Sequence, residues 1–255
     1  MLNSDHVLAV LQHSQALLTK AAAPLLPDAV VKPSYASEWS IAQVLSHLGS
    51  GAEIFTRFLV AGSTSAGPPE RADLMAIWDE WNAKSPERQV TDGLAANTNF
   101  LERVGELTSA QEEGFRVQMF TGEVDLAGFL LVRLGEHAVH TWDVRVALDP
   151  TATIPEDAAE LLVPRLSEIA NRSGKAGDAD LTIAVQLTDP ERQLSLRVGA
   201  DGVRLVDGTL GDATLRLPAE AFVRLIYGRM DAQHTPALET DGVDLDLLRA
   251  VFPGF

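Results

Sequence analysis

GEHAVHTWDVRVALD, residues Gly135 to Asp149, carries two of the chain's six histidines within four positions and has acids on either side. Glu136 and His140 are four residues apart. On a helix that spacing stacks them on one face, a turn apart. Asp143 follows three residues later on the same stripe. A carboxylate and an imidazole on adjacent turns can grip one divalent ion. Two ligands are too few, because zinc in a catalytic site takes three protein ligands and keeps a position open. The surrounding pattern predicts a helix over Asp125 to Leu148. Leu131, Leu134, Ala138, Trp142 and Val146 make it apolar well beyond one stripe, so it is widely buried. Charged groups beside such a face need partners or a metal.

A third ligand has to come from elsewhere. Ser37 to Ala61, SEWSIAQVLSHLGSGAEIFTRFLVA, reads as a helix with Ile41, Val44, Leu45, Leu48, Ala52, Phe55 and Leu59 on its apolar stripe. His47 sits at the stripe's edge and is the natural third ligand; its other reading is a histidine hydrogen-bonded at a core edge. Glu53 lies about 120° round the helix from His47 and cannot share an ion with it. His6 and His13, near the start of a first helix over Asp5 to Ala23 capped by Ser4 or Asp5, read as surface histidines. His137 points about 100° away from Glu136 and reads as a structural or pocket-rim histidine.

Composition narrows the chemistry. The chain has 255 residues, long enough for one or two domains, and 46% of them are apolar, enough for real cores. The net charge of −16, with no run of Lys and Arg, argues against nucleic acid and against an anionic membrane surface. There are no cysteines, so thiolate metal sites and a cysteine nucleophile are excluded, and any thiol must be brought in. The N-terminus lacks the basic and long apolar segments of a signal peptide, and no apolar run reaches transmembrane length. The expected location is the cytoplasm.

Along the chain, helical patterns also fall over Arg71 to Lys84 and from Pro86 to about Leu107, with an irregular crossing over Thr108 to Thr121. One further helix is expected over Ile154 to Ser173. After the linker GKAGDAD, Gly174 to Asp180, the apolar period changes to two. Leu181 to Leu187 and Leu194 to Val198 alternate about Thr188-Asp189-Pro190, a hairpin signal. Val203 to Val206 and Ala213 to Leu217 are shorter strands. Helices are expected over Pro218 to Tyr227 and Asp244 to Val251. The class is α+β, with a helical domain over 1–152 and a second domain over 153–255 that opens on the connecting helix at about 155–173.

WSIAQVLSHL (Trp39 to Leu48) and GEHAVHTWDVRVALD, supported by LPAEAFVRLIYGRMD (Leu217 to Asp231) and the closing LDLLRAVFPGF, resemble the mycothiol-dependent maleylpyruvate isomerase family. That family lies within the DinB-like metal-binding four-helix-bundle superfamily. The resemblance covers nearly the whole chain. It implies a DinB-like four-helix bundle followed by a small sterol-carrier-like α+β domain. It also implies a metal triad of His47, Glu136 and His140, and a divalent metal, usually zinc, with nickel, cobalt or iron compatible with the same ligands. Mycothiol, a low-molecular-weight thiol, is implied as co-substrate. The activity implied is isomerisation or S-transfer on a small electrophile of maleylpyruvate type. An arginine of the second domain is implied at the active site, where its fork could hold a carboxylate. Arg229 is the candidate, because Gly228 can end the preceding helix and turn the chain; Arg224 is next. Asp143 is expected behind the ligands, accepting from a metal-bound histidine, with His47 across the helix gap as one possible partner.

Two readings of another class stand beside this one. A bundle joined to a sterol-carrier-like domain could be a non-catalytic protein holding a metal or an apolar ligand. A metal-dependent hydrolase could use Asp143 or Glu136 as base to a metal-bound water.

Overall fold

The computed structural model describes residues 2–36, 38–64, 66–119 and 122–254. The chain is α+β, with a helical first unit, Met1–Ala152, and a second unit built on a sheet, Thr153–Phe255.

The first unit runs α1 (Ser4–Ala22), α2 (Pro27–Val30), α3 (Ile41–Thr64), α4 (Arg71–Asn82), α5 (Pro86–Gly105), α6 (Ser109–Gly114), a hairpin of β1 (Val117–Met119) and β2 (Gly122–Val124), then α7 (Leu126–Leu148). Among its four long helices, α3 packs on α5 and α7, and α1 packs on the same two. The caps follow local chemistry. Asn3, rather than Ser4 or Asp5, caps α1, its side chain accepting from the Asp5 amide at 2.9 Å. Helix α3 starts at Ile41, later than expected. Ser40 and Gln43 exchange side-chain-to-backbone bonds of 2.8 and 3.2 Å across its first turn, which fixes the start there. Ser37, the expected start, lies outside the described residues, as does Thr121 at the end of the expected crossing. Asp125 caps α7 by accepting from the Gly128 amide at 2.8 Å.

Small residues let α3 approach α5 closely. A Cβ on Gly93 would stand 2.5 Å from the Leu45 carbonyl oxygen, and one on Gly49 would stand 3.0 Å from the Gly93 Cα. Leu18, Ile41, Val44, Leu45, Leu48 and Val144 form the core beside this crossing. His47 is thereby carried on a helix that packing holds on several sides.

The second unit opens with α8 (Glu156–Leu162) and α9 (Leu166–Ser173). The single helix expected over 154–173 is interrupted by a 3₁₀ turn at Val163–Arg165, where Pro164 has no N–H to donate to the preceding turn. Strands β3 (Leu181–Thr188), β4 (Arg192–Gly199), β5 (Gly202–Asp207), β6 (Ala213–Pro218) and β7 (Glu239–Asp241) form one sheet in the order β5-β4-β3-β6-β7. The expected turn at Thr188-Asp189-Pro190 joins the antiparallel β3 and β4, whereas β3 and β6 run parallel. Helix α10 (Ala219–Ile226) packs against β3 and β6, and α11 (Leu245–Val251) follows β7.

Candidate metal centre

Helices α3 and α7 bring His47, Glu136 and His140 together. One ligand atom from each lies within 4.8 Å of the other two. His47 Nε2 is 3.5 Å and His140 Nε2 is 3.9 Å from the same oxygen, Glu136 Oε2. Metal–ligand bonds of about 2.1 Å in a tetrahedron hold their ligands about 3.4 Å apart. Each imidazole nitrogen therefore already stands near that spacing from the shared carboxylate oxygen. The imidazole rings meet edge to face at 4.7 Å, and the Trp39 ring lies 5.1 Å from His47 and 5.9 Å from His140. The Glu136 side chain is 44% exposed, His47 32% and His140 12%. The cluster is thus backed by the unit's core and open on the carboxylate side.

Asp143 stands behind it. Its carboxylate is fully buried, and Oδ2 is 2.9 Å from His140 Nδ1. Because a carboxylate only accepts, Nδ1 carries the proton and His140 presents the bare Nε2 to the cluster. Of the partners expected for Asp143, the structure gives His140 and not His47. Burial this complete also separates its carboxylate from solvent.

Burial alone would raise the Glu136 pKa. The hydrogen bond with His47 and the positive fields of His140, His47 and Arg133 outweigh it and lower it to about 2. His47 is lowered mainly by burial, with His140 and Arg133 adding to the effect against the pull of Glu136. An anionic Glu136 and a His47 disposed to be neutral are protonation states that suit a divalent ion.

His137 belongs to the scaffold. It is buried, and its Nε2 donates to Gln15 Oε1 at 3.0 Å while Nδ1 accepts from Ser14 Oγ at 2.8 Å. The pocket-rim alternative is overturned by that burial, and the structural one stands. His6 and His13 are exposed on α1.

Arg133, three residues before Glu136 on α7, falls on the ligands' stripe in the sequence, where no role was assigned to it. It is 1% exposed, and Nη2 donates to the Leu48 carbonyl at 2.7 Å and to Asn97 Oδ1 at 2.6 Å. Its signal in the sequence is a lone charge in the apolar run LAGFLLVRLG.

In the second unit Arg224 is buried and committed. Nε and Nη2 each donate to a Glu220 carboxylate oxygen at 2.8 Å, and Nη1 donates to the His234 carbonyl at 2.6 Å. Arg229 is half-buried just beyond Gly228, which adopts φ 72°, and donates to the Tyr227 carbonyl at 2.7 Å.

Fold and cluster together define the class: a helical unit that converges two histidines and one carboxylate, followed in sequence by an α+β unit. The family described as "Mycothiol maleylpyruvate isomerase N-terminal domain" matches residues 11–145, and its companion "MDMPI C-terminal domain" matches residues 156–249. The chain belongs to the mycothiol-dependent maleylpyruvate isomerase family, a family of enzymes. Among solved structures, a mycothiol-dependent maleylpyruvate isomerase shares its fold at TM-score 0.68 and 13% identity, over 94% of this chain and 93% of that one. A histidine-to-alanine variant described by the same name superposes at TM-score 0.66 and 14% identity, over 90% of each chain. No curated protein matches by sequence. Among the described residues, no helix is long and apolar enough to cross a membrane.

Proposed function

We propose that the chain catalyses a metal- and mycothiol-dependent isomerisation, or an S-transfer, on a small electrophile of maleylpyruvate type. The observation that carries this reading is the convergence of His47 Nε2, Glu136 Oε2 and His140 Nε2, with His140 oriented by the buried Asp143. The donor set fits a divalent ion. Two imidazoles and one carboxylate suit zinc, with nickel, cobalt and iron compatible. When bound, such an ion stabilises a thiolate and so lowers the pKa of an incoming thiol.

The residues divide the work. His47 and His140 each offer an imidazole nitrogen, and Glu136 offers an anionic oxygen. Asp143 holds the proton of His140 on Nδ1, away from the cluster. The partial exposure of Glu136 leaves room for thiol and electrophile on one side. Arg229 is the residue proposed to hold a carboxylate of thiol or substrate. In isomerisation, the thiolate adds to one carbon of a cis double bond, the remaining single bond rotates, and the double bond re-forms trans as the thiolate leaves. In S-transfer the carbon–sulfur bond is kept.

The experiment is metal analysis followed by assay. The purified protein is expected to hold one divalent ion per chain and His47→Ala to hold almost none. A cis electrophile should be converted with mycothiol and not without it. A trans product with thiol recovered marks the isomerase, and a retained adduct marks the transferase. Full metal in His47→Ala sinks the triad, and turnover without thiol moves the reading to a hydrolase.

A further inference from the structure

One charge on α7 is neither a ligand of the triad nor the partner of one. Arg133 is buried, and among the described residues its guanidinium touches neutral groups: the Leu48 carbonyl, Asn97 Oδ1 and the Phe55 ring, whose centroid is 5.5 Å from the guanidinium carbon. Its Nε has no hydrogen-bond partner. Among the described residues no carboxylate forms an ion pair with it. Gly51, one turn after His47 on α3, leaves the space for Nη1; a Cβ there would stand 2.7 Å from it. The guanidinium thus lies between α3 and α7, one turn from the ligands on both helices.

An isolated buried cation costs several kcal/mol unless something offsets it. Counting charge at the site gives a reason for keeping this one. A divalent ion, neutral His47 and His140, and the anions of Glu136 and Asp143 sum to zero. One added thiolate would leave a net negative charge away from bulk water, and Arg133 returns that sum to zero.

Resting on the metal-site reading, we propose that Arg133 is a positioning residue with two duties. Its fixed cation makes the loaded site accept one anionic ligand, and its bond to the Leu48 carbonyl steadies the turn of α3 that carries His47.

The test uses the full chain loaded with cobalt(II) and titrated with 2-mercaptoethanol, read by the thiolate-to-cobalt absorption band. Arg133→Met removes the charge at similar length. Asn97→Asp keeps the arginine but sets a carboxylate against Nη2, cancelling its field at the loss of one bond from Asn97 Nδ2 to the Gly93 carbonyl. Asn97→Asp keeps the bond to Leu48 and is expected to bind cobalt at least as tightly as the parent, since the cation near the ion is neutralised; Arg133→Met loses that bond and is expected to bind cobalt less tightly. Both should need about tenfold or more thiol for half the band, the scale of one charge at intermediate dielectric. Arg133→Lys should stay within about threefold of the parent, as its charge is kept. An unchanged thiol titration in Asn97→Asp overturns the electrostatic duty, and Asn97→Asp decides this even if Arg133→Met does not fold. Parallel loss of cobalt and thiol binding in Asn97→Asp also overturns it and leaves only a structural role. If the parent itself takes up no cobalt, the metal reading fails, and this inference fails with it.

Discussion

The carboxylate of Asp143 lies 2.9 Å from Nδ1 of His140, and it is fully buried. That one contact decides which nitrogen of His140 carries the proton and which is free to bind an ion. Asp143→Asn keeps the shape but offers an amide in place of the anion. Metal affinity is expected to fall about 10- to 100-fold, the usual cost of losing such a partner. Competition with a chromophoric chelator measures it, and an unchanged affinity would remove Asp143 from the site.

His137 predicts an acid sensitivity that does not depend on metal. Burial, with the fields of Arg133 and His140, holds its pKa well below the ordinary value of 6.5. The unfolded chain gains a proton as pH falls through that value, and the folded chain does not. The stability is therefore fully present above about pH 6.5 and is lost as pH falls below it, by up to about 1.4 kcal/mol per pH unit for one proton. In metal-free protein, His137→Gln should flatten the fall of unfolding free energy between about pH 6.5 and 5 by that slope. A parallel fall in both proteins would assign the proton uptake to other groups.

The crossing of α3 and α5 depends on Gly93. A Cβ there meets backbone, the Leu45 carbonyl oxygen, which cannot swing aside. Gly93→Ala should destabilise by about 1–3 kcal/mol despite the better helix propensity of alanine. Denaturant unfolding reads this directly; a more stable variant would mean that the helices part at little cost.

Arg229 and Arg224 should separate in a comparison of stability with kinetics. Arg224→Ala strands the buried Glu220 carboxylate and is expected to destabilise by about 3–5 kcal/mol, seen as a lowered unfolding midpoint. Arg229→Ala should leave folding and metal content near the parent's. It should raise KM for thiol or substrate about 10- to 100-fold, the value of a charge-assisted hydrogen bond. Unchanged kinetics in Arg229→Ala would leave the second unit without a part in the chemistry.

By itself, the sequence determined what is periodic and local. The i, i+4 pair Glu136 and His140 was legible because helix geometry alone sets that spacing, and the change of apolar period after Gly174 marked the sheet for the same reason. His47 could be named from the sequence as the candidate third ligand, but its distance to Glu136 depends on how α3 packs on α7. The tertiary structure alone chose His140 over His47 as the partner of Asp143, and it buried His137 on Ser14 and Gln15. The start of α3 at Ile41, by contrast, is local chemistry: Ser40 and Gln43 form an S-x-x-Q capping pair. Arg133 shows the limit most clearly. Its one-letter code in an apolar run signals a buried charge, yet its partners Leu48 and Asn97 lie 85 and 36 residues away. Contacts at that separation are set by helix packing, which no local pattern encodes.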